Sequence, residues 1–251
     1  MTIYYIIAST FIISLISFVG AFALVLKEKA LDNILLVLVA LSAGGLIGGA
    51  FLHLLPEAIK NAGNTGLAVF LYLIIGFCVF FIMEQFLRWH HCHKTEHSHD
   101  AHTKPLSYLI LISDGIHNAI DGLVIAASFV ASPALGIATC TAVVLHEIPQ
   151  EFGDFGVLVY SGMKPKKALT YNFISGLTAI LGGIAGYYLV ESVSGSILFL
   201  IPFAAGNFIY IACSDLIPEI QYKDHLGHSL LYFFIFIIGI SLMFLLRGIG
   251  L

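Results

Sequence analysis

Apolar residues run through this chain in long blocks, and the polar positions that interrupt them gather into short clusters. Cutting at those clusters leaves eight blocks, at about 2–26, 33–59, 66–89, 106–131, 135–161, 167–190, 195–220 and 228–249. Each exceeds the ~20 residues that a helix needs to cross bilayer hydrocarbon. The pattern predicts an all-α membrane protein, residues 1–251 forming one domain of eight transmembrane helices. The first block has no basic segment before it and no small-residue cleavage site after it, so it reads as a retained span rather than a signal peptide.

Composition strengthens this picture. Hydrophobic residues make up 59% of the chain and charged residues 10%, against roughly 25% charged in a soluble domain. That leaves too little polar surface to face water on all sides. The formal net charge is only -4, and the eleven Lys and Arg are scattered through short loops. No basic stripe suited to nucleic acid results. Three of the four cysteines (Cys78, Cys140, Cys213) sit inside apolar runs and no CxxC spacing occurs, so the thiols say little about redox compartment.

Loop charges orient the spans. Counting eight crossings, the side that holds both termini carries Lys60 and Arg247, whereas the other side carries nine Lys and Arg. Basic loops stay in the cytoplasm, so both termini are expected outside it. A repeat adds internal order. The segment AGGLIGGAFLHLLPE (43–57), ending span two, matches AGNFIYIACSDLIPE (205–219), ending span seven, at seven of fifteen positions. Those spans run in opposite directions, as in the inverted repeats of secondary transporters. Spans one to three then mirror spans six to eight around a central pair, a 3+2+3 arrangement.

The central pair holds most of the buried ionisable chemistry. In span four, Asp114, His117, Asn118 and Asp121 recur at i, i+3, i+4 and i+7, one stripe at 3.6 residues per turn. In span five, Glu147, Glu151 and Asp154 form a second stripe with His146 beside it. A carboxylate near mid-bilayer costs about 2.5–3.5 kcal/mol, and neither span contains a Lys or Arg to neutralise these. A visiting cation or a water-filled cavity is required. Imidazole with carboxylate suits zinc, and also iron or manganese, while the lack of thiolates argues against copper(I). Pro149 should kink span five beside these residues. Outlying candidates for access or release are His53 and Glu57 near the outer end of span two, Asp215 and Glu219 at the matching places in span seven, and Asp114 and Asp154 at the ends of the two stripes. Glycines at 44/48 and 45/49 read as close helix contacts. The loop over residues 90–105 packs His90, His91, His93, His97, His99 and His102 together, a tract of the kind that binds metals, and the charge count puts it in the cytoplasm.

At HNAIDG (117–122) and HEIPQE (146–151) the chain resembles the ZIP (Zrt/Irt-like protein) family of metal transporters, in particular the branch whose usual motif is HEIPHE, with Gln150 replacing its second His. The likeness extends over essentially the whole chain. It implies an alternating-access, elevator-like carrier bringing zinc or a related divalent ion (iron, manganese, cadmium) into the cytoplasm without ATP, in the cell membrane and with no separate cofactor. Carried over by motif, His117 and His146 bind one metal, Asn118 and Glu147 a neighbouring second, and Asp121 and Glu151 bridge them. Some relatives add a carboxylate on span six, where this chain offers only Asn172, Ser175 and Thr178. The expected partners are divalent ions and the lipid bilayer, with a homodimer as an allowed assembly. The rival from another class is a membrane-embedded metal hydrolase. It is disfavoured because HEIPQ lacks the second His of HExxH and Pro149 distorts the helix. No Walker A sequence is present to support ATP-driven pumping.

Overall fold

A computed structural model describes residues 1–24, 28–63, 66–92, 103–193, 195–221 and 226–248. Among the described residues every regular element is helical. Backbone amides and carbonyls within hydrocarbon must be paired inside the protein, and a helix pairs them within its own segment. Helix α1 (Thr2–Ile16) tightens into a 3₁₀ stretch, Ser17–Leu24. Helix α2 (Glu28–Gly48) passes through a π-helical stretch, Gly49–Leu54, into α3 (Leu55–Ala62). Then come α4 (Gly66–Cys92), α5 (Thr103–Ala131), α6 (Pro133–Tyr160), and α7 (Pro165–Gly176) followed by α8 (Thr178–Ser192). Helix α9 (Ser196–Ile211) passes through a second π-helical stretch, Ala212–Leu216, into α10 (Ile217–Gln221), and α11 (Leu226–Gly248) closes the chain.

Among the described residues, seven helical stretches are long and apolar enough to cross a membrane: Thr2–Phe22, Ile34–Ala62, Gly66–Gln85, Ile110–Ala131, Pro165–Ser192, Ser196–Gln221 and Gly227–Arg247. The long helix missing from that set is α6. Its 28 residues suffice in length, but His146, Glu147, Gln150, Glu151 and Asp154 fall within it and dilute its apolar content. The count of eight spans thus rests on treating a polar helix as a crossing.

Packing divides among a few dominant pairs. Helix α5 lies against α8, α2 against α11, and α4 against α9, while α6 is wedged between α5, α2 and the 3₁₀ end of α1. The last two of those pairs are built alike. A Cβ on Gly44 of α2 would lie 2.0 Å from the Phe236 carbonyl oxygen of α11, and one on Gly239 of α11 would lie 2.3 Å from that of Leu41. At the other crossing, Gly206 of α9 meets the Leu73 carbonyl of α4 at 2.0 Å, and Gly76 of α4 meets that of Phe203 at 2.1 Å. Only glycine lets the backbones come this near. Gly44 and Gly206, like Leu41 and Phe203, stand 162 positions apart, and Gly76 and Gly239, like Leu73 and Phe236, stand 163 apart. Both π-helical stretches fall inside the two matching fifteen-residue segments, each separated by one residue from the shared Pro-Glu.

Helices α5 and α6 form a tight antiparallel hairpin. Ser132 joins them, its hydroxyl accepting from the Leu135 amide at 3.1 Å to cap α6, with Pro133 in the first turn. Because the connection is so short, the stripe of α5 and that of α6 meet at the same depth.

Candidate metal centre

His117 and Asp121 of α5 and His146 and Glu147 of α6 turn one ligand atom each to a common point, all four residues buried. His117 Nε2 lies 3.3 Å from His146 Nε2, 3.6 Å from Asp121 Oδ2 and 3.4 Å from Glu147 Oε1. His146 Nε2 lies 3.1 Å from Asp121 Oδ2 and 3.4 Å from Glu147 Oε1. A regular tetrahedron around zinc, with bonds of about 2.0–2.1 Å, has edges of about 3.3–3.4 Å between its ligand atoms. Every one of these measured separations falls near that edge length.

Tautomer and hydrogen bonding fit a cation as well. His146 Nδ1 is 3.0 Å from the Ala142 carbonyl oxygen. A carbonyl can only accept, so Nδ1 carries a proton and, in the neutral ring, Nε2 keeps its lone pair toward the cluster. Asp121 Oδ1 and both oxygens of Glu147 are buried without a hydrogen-bond donor. Buried carboxylate oxygens are normally paired, so these orphans mark a place where a positive charge fits. Phe80 packs edge-on to the His117 ring and Phe208 to that of His146, at centroid distances of 6.0 and 5.9 Å, and fix the two imidazoles laterally.

The other two residues expected as ligands, Asn118 and Glu151, have different surroundings. Asn118, next to His117 in α5, is fully buried; its amide donates to Asp114 Oδ1 at 2.8 Å, while its own Oδ1 has no hydrogen-bond partner. Both Glu151 oxygens are engaged by neighbouring elements: Oε1 accepts from Ser17 Oγ of the 3₁₀ stretch at 2.6 Å, and Oε2 from the Asn172 amide of α7. The spacing of Glu151 from Glu147 places both on one stripe, but neighbouring helices offer Glu151 donors one turn further on.

Of the outlying candidates, Asp114, Asp154 and Asp215 line a cavity of about 380 Å³ that reaches His117. Gln150, Glu84 and Tyr210 share its wall, and the Tyr210 hydroxyl donates to the Glu84 carboxylate. The motifs gave no signal for that last pair, since both residues stand alone in apolar helices. Glu219 is exposed and outside this wall. His53 donates from Nε2 to the Met243 carbonyl of α11 at 2.7 Å, and Glu57 sits at the surface beside Lys60, 3.5 Å away. Neither joins the cluster. Of the histidine run, His93, His97, His99 and His102 lie outside the described residues, and only the helical backbone is described at His90 and His91.

Comparison with known proteins bears on the family of the chain. The ZIP zinc transporter family profile matches residues 1–107 and 90–247. The chain belongs to the ZIP family. Zinc transporter zipt-7.1 of Caenorhabditis briggsae is 32% identical over 87% of this chain and 72% of its own length. Zinc transporter ZIP13 of Mus musculus is 29% identical over 83% of this chain and 69% of its own. Zinc transporter ZIP10 of Homo sapiens is 36% identical over 55% of this chain, yet only 18% of that longer protein is matched. ZIP proteins are transporters rather than enzymes, so the hydrolase alternative loses its footing, and this ZIP chain is an integral membrane protein.

Proposed function

We propose that this ZIP chain carries divalent metal ions across the membrane, zinc first among them, and that the cluster of His117, Asp121, His146 and Glu147 is where the ion pauses. The observation that carries this reading is the convergence of four ligand atoms within 4.8 Å of one another, five of their six separations at 3.1–3.6 Å, in a buried place with carboxylate oxygens that lack a hydrogen-bond donor. Iron, manganese and cadmium share enough of this ligand chemistry to compete.

The opening of the cluster supports inward movement of the ion. The cavity at His117 is lined by the C-terminal parts of α4, α6 and α9 and the first half of α5, which supports a mouth on the side of the loop between α4 and α5. The count of loop lysines and arginines makes that side cytoplasmic. On the opposite side, Leu46 and Ala50 of the second span and Ala142 and Val143 of α6 have no exposure, and Gly49 leaves a Cβ only 3.1 Å from that of Ala142. This state releases ions inward, and uptake requires an alternate state in which the apolar seal opens. The paired glycine crossings and paired π-helical stretches support the inverted 3+2+3 reading, in which α2 with α11 and α9 with α4 are related pairs and both termini face outward. A second ion would use Asn118 and Glu147, with Asp121 and Glu151 bridging; the unpartnered oxygens of Asn118 and Glu147 support it, while the hydrogen bonds of Glu151 to Ser17 and Asn172 compete with bridging.

The test is uptake into vesicles that contain the purified protein and a zinc-sensitive dye. Wild type should accumulate zinc against a protein-free control, and His117→Ala should nearly abolish it. Normal uptake by that variant would remove the cluster from the pathway.

A further inference from the structure

Pro149 has no amide hydrogen, so the carbonyl four residues earlier, that of Leu145, loses its partner within α6. Leu145 directly precedes His146 and Glu147. An unpaired carbonyl buried next to a cation site is costly, and it would let this turn of α6 shift. The structure supplies a donor from another helix. Ser42 of α2, almost fully buried, places its hydroxyl on the Leu145 carbonyl. The same hydroxyl reaches the Leu38 carbonyl at 2.6 Å, but a hydroxyl has one proton, and the Leu38 oxygen can already accept from the amide of Ser42 itself within α2. The proton belongs on the oxygen that proline deprived. Gly45, one turn on, lets α2 lie flush here, since a Cβ on it would come 2.8 Å from Leu145 Cδ1.

We infer that Ser42 is a positioning residue for the metal centre: its hydroxyl replaces the amide that Pro149 lacks and fixes the proline-containing stretch of α6 that presents His146 and Glu147. It touches no ligand atom and acts through the backbone. The inference rests on the transport reading for its functional consequence, but the hydrogen bond itself can be tested without transport.

The experiment is a double-mutant cycle of wild type, S42A, P149A and S42A/P149A, with S42T as the conservative control. In vesicles, S42A should raise the zinc concentration for half-maximal uptake by about tenfold, the scale expected for stranding a buried carbonyl, with a smaller change in maximal rate. S42T, which keeps the hydroxyl, should restore it. In P149A the amide returns to the Leu145 carbonyl, so adding S42A should change the half-saturating concentration by less than about twofold. Equal effects of S42A in both backgrounds, or none in wild type, would overturn the inference. The same four proteins, purified in detergent without zinc, are compared by thermal unfolding midpoint. Non-additive shifts support the bond, and additive shifts overturn it. If wild type fails to accumulate zinc, the transport reading falls, while the midpoints still decide on Ser42.

Discussion

Replacing Glu147 with Gln separates the charge of one ligand from its shape. The amide oxygen of Gln can occupy the vertex now held by Glu147 Oε1, 3.4 Å from each imidazole Nε2, so volume and packing are kept and an anionic donor is lost. Altering groups that merely support metal ligands already costs about 10–100-fold in affinity. Neutralising a ligand in a four-atom cage should cost at least about 100-fold, or about 2.7 kcal/mol. The assay is zinc-dependent stabilisation of the purified protein. At a zinc concentration 100 times the wild-type dissociation constant, binding should stabilise wild type by about 2.7 kcal/mol. The same concentration would then equal the dissociation constant of Glu147→Gln, leaving about 0.4 kcal/mol. Glu151→Gln is the informative contrast. Its carboxylate is engaged by Ser17 and Asn172 rather than by the cluster, and it should keep most of the wild-type zinc response. A Glu147→Gln protein whose affinity stays within about threefold of wild type would refute the assignment of this oxygen to the cage.

Other consequences follow from different parts of the molecule. Gly44→Ala and Gly206→Ala each push a methyl against a carbonyl oxygen at a helix crossing; both should destabilise by about 1–3 kcal/mol, and a pair of unequal effects in thermal unfolding would argue against related crossings. Ser17→Ala removes one of the donors to Glu151 and should, if that residue can then swing to Asp121, raise the number of zinc ions bound per chain in equilibrium dialysis. Deleting residues 90 to 102 should alter apparent affinity or regulation while uptake persists; loss of all uptake by correctly inserted protein would contradict a purely accessory loop.

Helical crossings and the central pair were legible because long apolar blocks and the i, i+3, i+4, i+7 spacing of Asp114, His117, Asn118 and Asp121 need only the helix period to interpret. The short α5–α6 hairpin then brings His117 and Asp121 to His146 and Glu147, which the motifs also indicated. The fate of Glu151 was not legible. It shares a stripe with Glu147, and only the tertiary arrival of Ser17, 134 positions away, and Asn172, 21 positions away, decides where its carboxylate turns. Ser42 gave no signal for the same reason: a serine in an apolar helix reads as ordinary packing until a proline on another helix strands a carbonyl beside it. Glu84 and Tyr210 likewise acquire their association only when α4 and α9 cross.

The polarity that keeps α6 out of the set of apolar spans also governs how the protein is made. Glu147, Glu151 and Asp154 together put roughly 8–10 kcal/mol against placing this helix alone in lipid, more than its apolar half can comfortably offset. At the translocon, α6 is therefore a poor client by itself. It should be retained beside the channel until α5, already emerged and joined to it through Ser132, pairs with it as a hairpin and α2 offers Ser42 to its broken turn. Chains truncated before α6 should integrate readily, whereas α6 fused alone to a reporter should slip through into the far compartment.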